Sequence, residues 1–93
     1  MSASSEAAIE VVLPADLHAR PAGQVTRAAA AYDASTWLST ADRPEVDARS
    51  VLGVMGLGAV AGERVRVRAE GPQAADAVAA VAGVLAAAEA ITG

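Results

Sequence analysis

In Glu63-Arg64-Val65-Arg66-Val67-Arg68-Ala69-Glu70, charged and apolar side chains alternate without a break from Arg64 onward. Successive side chains of a strand point to opposite faces, so Val65, Val67 and Ala69 share one face and three arginines the other. Such a strand belongs to a sheet with one face buried and the other in water. Every other layer-forming element must then cover a single side of that sheet.

Upstream of this strand, Ile9, Val11 and Leu13 alternate with Glu10 and Val12 until Pro14 closes the run, which predicts a strand with one buried face. From Pro21, the positions Ala22, Val25, Ala29 and Tyr32 recur at helical spacing, and Asp33 ends the pattern. Pro21 suits a first turn, where its missing N–H has no partner to lose. Thr36 to Thr40 and Val46 to Ala48 read as two short strands joined by a turn at Ala41-Asp42-Arg43-Pro44. Ser50 is a favoured N-cap for a short helix carrying Val51, Val54, Met55 and Leu57. Gly53, Gly56 and Gly58 each cost that helix about 1 kcal/mol relative to alanine, so packing onto the sheet must hold it. Beyond Gly71-Pro72, the residues Ala74, Ala77, Val78, Val81, Leu85 and Ala88 form one helical face, with Asp76 near its positive end. The order is βαββαβα, a two-layer α+β domain with its helices on one face. One domain spans residues 1–93, with 1–5 expected to be a flexible extension.

Composition bounds what this domain does. Of 93 residues 26 are alanine, and Val, Leu and Ile together number only 20. A core this thin encloses no deep pocket for a large cofactor, so function belongs on the surface. Seven arginines, no lysine and eleven acids leave a net charge of −4. No cationic block is present, which argues against nucleic-acid or anionic-membrane partners. The absence of cysteine removes disulfides, thiolate metal sites and a thiol nucleophile. The amino terminus carries acids where a signal peptide needs a basic start. The longest uncharged runs, Ser50–Gly62 and Ala77–Ala88, are 13 and 12 residues. Both fall short of the roughly 20 residues of a membrane span. The chain reads as soluble and cytoplasmic.

The one histidine lies in Leu17-His18-Ala19-Arg20-Pro21-Ala22, immediately before the first helix. Taken alone, a lone histidine is most often an ordinary surface residue. Here the first-turn N–H groups have no intrahelical partner, and with the positive end of the helix dipole they form an anion site. Arg20 adds a permanent cation able to hold a phosphate through two donors. Phosphoryl transfer asks mainly for positioning and electrostatic support, and a neutral imidazole needs no strong base to act as nucleophile. The pattern suits transient phosphorylation of His18. The dipole and the arginine supply a few kcal/mol, roughly 0.3–2 from the first and 1.5–3 per charged hydrogen bond. A partner enzyme must therefore supply the donor chemistry.

This motif resembles the phosphorylation site of HPr, the histidine-containing phosphocarrier family of the phosphoenolpyruvate-dependent sugar phosphotransferase system. Arg49-Ser50-Val51-Leu52-Gly53-Val54-Met55-Gly56-Leu57-Gly58 resembles the second signature of that family, a regulatory serine followed by a short helix. The resemblance implies an antiparallel sheet in strand order 1-4-2-3 under three helices. It implies that His18 accepts a phosphoryl group on Nδ1 from phosphorylated enzyme I and passes it to a histidine of a sugar-specific EIIA domain. Arg20 matches the arginine that supports the phosphate. The family uses neither metal nor organic cofactor, and the protein is expected to be a monomer and a stoichiometric carrier rather than an enzyme. Ser50 is a candidate regulatory phosphosite, read by a dedicated kinase or a transcriptional regulator, besides being a helix cap. Val51, Leu52 and Met55, with Arg27 at the rim, are the expected partner contacts, and Val54 and Leu57 are expected in the core. Two alternatives remain: a paralogue serving a regulatory or nitrogen-linked branch, and a signalling adaptor controlled through Ser50.

The chain departs from the family pattern at Asp16, where glycine is usual, and at Arg49 and Gly56, which replace lysine and serine. A carboxylate two residues from His18 opposes a phosphate if it points inward, so Asp16 is expected to face solvent. Leu38 is expected to be buried in the family register, leaving the Trp37 indole exposed on the open sheet face.

Overall fold

The computed structural model describes residues 5–88, with elements β1 (Glu6–Val12), α1 (Ala19–Ala30), β2 (Ser35–Thr40), β3 (Arg43–Asp47), α2 (Val51–Gly56), β4 (Arg64–Glu70) and α3 (Ala74–Ala86). Residues 1–4, most of the expected flexible extension, lie outside the described residues. Ser5 is tied down, its carbonyl accepting the Gly71 N–H at 2.9 Å. The four strands form one sheet in the order β1-β4-β2-β3, antiparallel throughout. The fold expected from the alternation in β4 and from the family resemblance is the fold observed.

β4 sits between β1 and β2, and its register explains the core. Val67 pairs with Ile9 on one side and Leu38 on the other, and Val65 pairs with Val11. Val65, Val67, Ala69 and Leu38 are fully buried. From the helices, Val25, Val54, Val81 and Leu85 descend onto them, and alanines fill the remaining contacts. Each buried branched side chain contributes on the order of 1.5–3 kcal/mol, the alanines less. Ala22 and Ala29 of α1 and Ala74 and Ala77 of α3 are wholly enclosed, which lets the two helices lie close together.

Four local expectations are corrected. Ile9 was expected on the buried face of the first strand, yet it is 46% exposed, because β1 is the sheet edge and has a neighbour on one side only. The hairpin turn is Ala41-Asp42 alone, since Arg43 and Pro44 already belong to β3. β3 is the other edge, where a proline sacrifices no ladder bond. A register shift between Leu38 and Thr40 absorbs the extra residue of β3. Helix α1 begins at Ala19 rather than Pro21 and ends at Ala30, so Tyr32 packs from the following turn. Trp37 does lie on the open face, but the Arg68 guanidinium stacks over its ring at 4.2 Å.

Two details show where the fold is tight. Gly71, between β4 and α3, has φ +133°, and a Cβ there would stand 3.0 Å from Ala34 Cα. Only glycine fits that backbone and that gap. Thr36 is buried, and its hydroxyl has no hydrogen-bond partner among the described residues. An unsatisfied hydroxyl of this kind costs about 1–3 kcal/mol.

Candidate functional site

The segment entering α1 continues the alternation of β1. Leu13, Ala15 and Leu17 are buried, while Pro14, Asp16 and His18 face outward. Backbone hydrogen bonds staple this segment to the one preceding β4. Leu13 N–H donates to Glu63 O at 2.9 Å, Gly62 N–H to Leu13 O at 2.8 Å, and Leu17 N–H to Ala59 O at 3.0 Å. His18 is thereby delivered to the N-cap of α1 in extended conformation, φ −79° and ψ −177°.

Its side chain is 49% exposed and makes no capping hydrogen bond. The His18 carbonyl accepts the Ala22 N–H at 3.0 Å, closing the first turn. The Ala19 and Arg20 N–H groups have no partner among the described residues, and Pro21 has no N–H to offer. Arg20 is exposed and forms no ion pair among the described residues. An open helix end, an accessible imidazole and an unpaired guanidinium therefore lie within three consecutive residues. Together they supply hydrogen-bond donors and positive potential for an anion beside a nucleophile.

Asp16 faces solvent as expected, its side chain 46% exposed, but its carboxylate also engages two neighbours. One carboxylate oxygen accepts the Ala61 N–H at 2.8 Å, and the other stands 3.8 Å from His18 Nε2. The cause is the alternation itself: with Leu17 held inward, residues 16 and 18 project from the same side of the chain. Ending the first strand at Pro14 left this approach unread, although the apolar residues at 13, 15 and 17 carried the signal.

The second motif forms α2, which packs against α1. Ser50 Oγ accepts the Gly53 N–H at 2.9 Å, so this helix end is closed by its cap. A Cβ on Gly53 would lie 3.2 Å from that oxygen, which accounts for glycine at this position. Val54 and Leu57 are buried, as expected. Val51, Leu52 and Met55 are exposed, Leu52 at 83%. Arg27 is also exposed, in the last turn of α1, and folds back along the helix toward Gly23.

The arginine-bearing sheet face differs. Arg68 donates to Glu45 at 2.7 and 3.0 Å, to Glu6 at 3.2 Å and to Glu70. Those hydrogen bonds hold the Glu45 carboxyl below the usual carboxylate range, outweighing slight desolvation, and push the Arg68 guanidinium further up. Arg64 pairs with Glu10 at 3.7 Å. No group of three or more potential metal ligands stands together among the described residues, and no helix there is long and apolar enough to cross a membrane.

Against known proteins, residues 5–87 match the family described as the PTS HPr component phosphorylation site. The chain is 43% identical over 81 residues to the phosphocarrier protein HPr of Haloferax volcanii, covering 85% of this chain and 91% of that protein. It is 33% identical over 73 residues to the phosphocarrier protein NPr of Escherichia coli, covering 78% and 81%. The structure of an HPr from Bacillus anthracis superposes with a TM-score of 0.75 at 28% identity, over 90% of this chain and 99% of that one. A four-stranded sheet in the order β1-β4-β2-β3, with the family match over residues 5–87, places the chain in the HPr class of small carriers. The chain belongs to that family, the phosphocarrier proteins of the phosphotransferase system.

Proposed function

We propose that His18 carries the phosphoryl group, accepting it from phosphorylated enzyme I and passing it to a histidine of an EIIA domain. The observation that supports this most is the uncapped start of α1, where the Ala19 and Arg20 N–H groups lack partners beside an imidazole 49% exposed. Nε2 faces Asp16, so Nδ1 is the ring nitrogen with no protein partner among the described residues and is assigned as the attacking atom. Its electron pair forms the N–P bond as the donor's P–N bond breaks, and the pair released stays on the donor imidazole. The phosphoryl oxygens accept from the free N–H groups and from Arg20, which positions the group for departure. The chain acts as a stoichiometric carrier, one domain with enzyme I at its supply and EIIA at its discharge.

Both partners engage the surface formed by the start of α1 and the exposed residues Val51, Leu52 and Met55 of α2, with Arg27 at the edge. Leu52, an exposed leucine on a helix that packs against α1, supports this. Ser50 acts first as the cap of α2, and a phosphate on its hydroxyl displaces the bond to Gly53 and adds negative charge to that surface. The likeness to an NPr favours a second reading, a paralogous phosphotransfer branch with its own enzyme I. The deciding experiment incubates the protein with phosphoenolpyruvate and the enzyme I of each branch and weighs the product. One acid-labile phosphate, lost in His18→Ala, is expected; a phosphate retained in His18→Ala rejects the assignment.

A further inference from the structure

Asp16 stands where a carboxylate is least expected beside an incoming phosphate, yet it is fixed there from two sides. Its Oδ1 is tethered to the Ala61 N–H, and its Oδ2 lies 3.8 Å from His18 Nε2. We propose that Asp16 is a positioning residue for phosphoryl transfer: it holds the imidazole proton on Nε2, leaving Nδ1 as the bare nucleophilic nitrogen. The inference rests on the carrier reading above.

The separation exceeds hydrogen-bond length, and contacts of this kind tighten when substrate arrives. The charge balance shows why they do so here. When the Nδ1 electron pair forms the bond to phosphorus, an imidazole protonated on Nε2 becomes positively charged. The Asp16 carboxylate faces the nitrogen that keeps the proton. On discharge the N–P bond breaks, its electron pair returns to Nδ1, and the ring leaves as neutral imidazole with Nε2–H unchanged. One carboxylate thus assists loading and unloading, as an orienting carboxylate does for other functional histidines. Repulsion of the phosphoryl oxygens is limited because Oδ2 lies toward Nε2, and because the Ala19 and Arg20 N–H groups and the Arg20 cation offset their charge. Among the described residues, no other acid is paired with His18. Residues 58–62 and α2 carry no titratable side chain, and Glu63 is held by Arg43 and the Val60 N–H.

The test compares wild type with Asp16→Ala and Asp16→Asn in the full chain, all shown to be folded by their amide spectra. Asparagine keeps one oxygen for the Ala61 N–H and turns its NH2, a donor, toward Nε2, so the tether survives while the acceptor facing Nε2–H is lost. Long-range 15N spectra of the neutral ring read the tautomer, and phosphorylated enzyme I supplies the transfer rate. Expected are an Nε2-protonated ring in wild type, a raised Nδ1-protonated fraction in Asp16→Ala, and transfer slowed roughly tenfold, the size of one charge-assisted hydrogen bond. Asp16→Asn is expected to raise the Nδ1-protonated fraction at least as far as Asp16→Ala and to slow transfer as much; an Asp16→Asn ring still protonated on Nε2, with transfer at the wild-type rate, overturns the proposal. Transfer in Asp16→Ala as fast as wild type or faster, with the tautomer unchanged, overturns the role of Asp16 and leaves the carrier reading intact. Absence of any phosphate on wild-type His18 overturns both.

Discussion

Two helices of this protein begin in opposite ways. At α2 the Ser50 hydroxyl closes the first turn onto the Gly53 N–H, and the helix end is spent on its own stability. At α1 the cap residue is His18, whose side chain closes nothing, and two N–H groups are left for something else. A closed helix end is a structural device, whereas an open one leaves donors and positive potential that suit an anion. The contrast extends to the arginines. Arg68 is saturated by three carboxylates, but Arg20 is paired with none among the described residues.

The large expected effects come from the open end. Arg20→Ala should slow loading from phosphorylated enzyme I by about 10- to 100-fold, the loss of 1.5–3 kcal/mol of charged hydrogen bonding. Its melting temperature should stay close to wild type, because Arg20 is exposed and forms no ion pair among the described residues. Converting the open end into a closed one sharpens the contrast. His18→Ser places a true cap at α1 and should stabilise the fold by about 1 kcal/mol in urea titration while abolishing phosphorylation. The reverse change at α2, Ser50→Ala, should cost about 1 kcal/mol and leave a single phosphate on His18. The smallest effect belongs to the saturated face. Glu45 ionises more readily in the folded state than in the unfolded chain, so its stabilisation is complete above the ordinary carboxylate pKa and disappears as pH falls through its lower folded value. Thermal melts across that acid range should show a shallower decline for Glu45→Gln than for wild type, with phosphoryl transfer unaltered.

Legibility in the sequence followed how local each cause was. The alternation of β4 and the helical stripes of α1 and α3 depend on neighbours along the chain, and they gave the layers directly. The exposure of Ile9 depends on β1 being an edge, and the stacking of Arg68 on Trp37 depends on β4 lying beside β2. Neither follows from a single segment. Arg43 and Pro44 have turn chemistry but sit in an edge strand that tolerates it. The candidate site divided the same way: the placement of His18 and Arg20 at a helix start was readable from the sequence, whereas the approach of Asp16 required Leu13, Ala15 and Leu17 to be recognised as one buried row. The Ala61 tether joins residues 45 positions apart, and nothing in either segment announces it.

The amide spectrum of the phosphorylated protein tests the open-end account most directly. On loading of His18, the Ala19 and Arg20 amide resonances should make the largest downfield moves, as new donors to phosphoryl oxygens, while Gly53 beneath its serine cap stays in place. Phosphorylation that leaves Ala19 and Arg20 unmoved, or whose main shifts fall on α2, would contradict it.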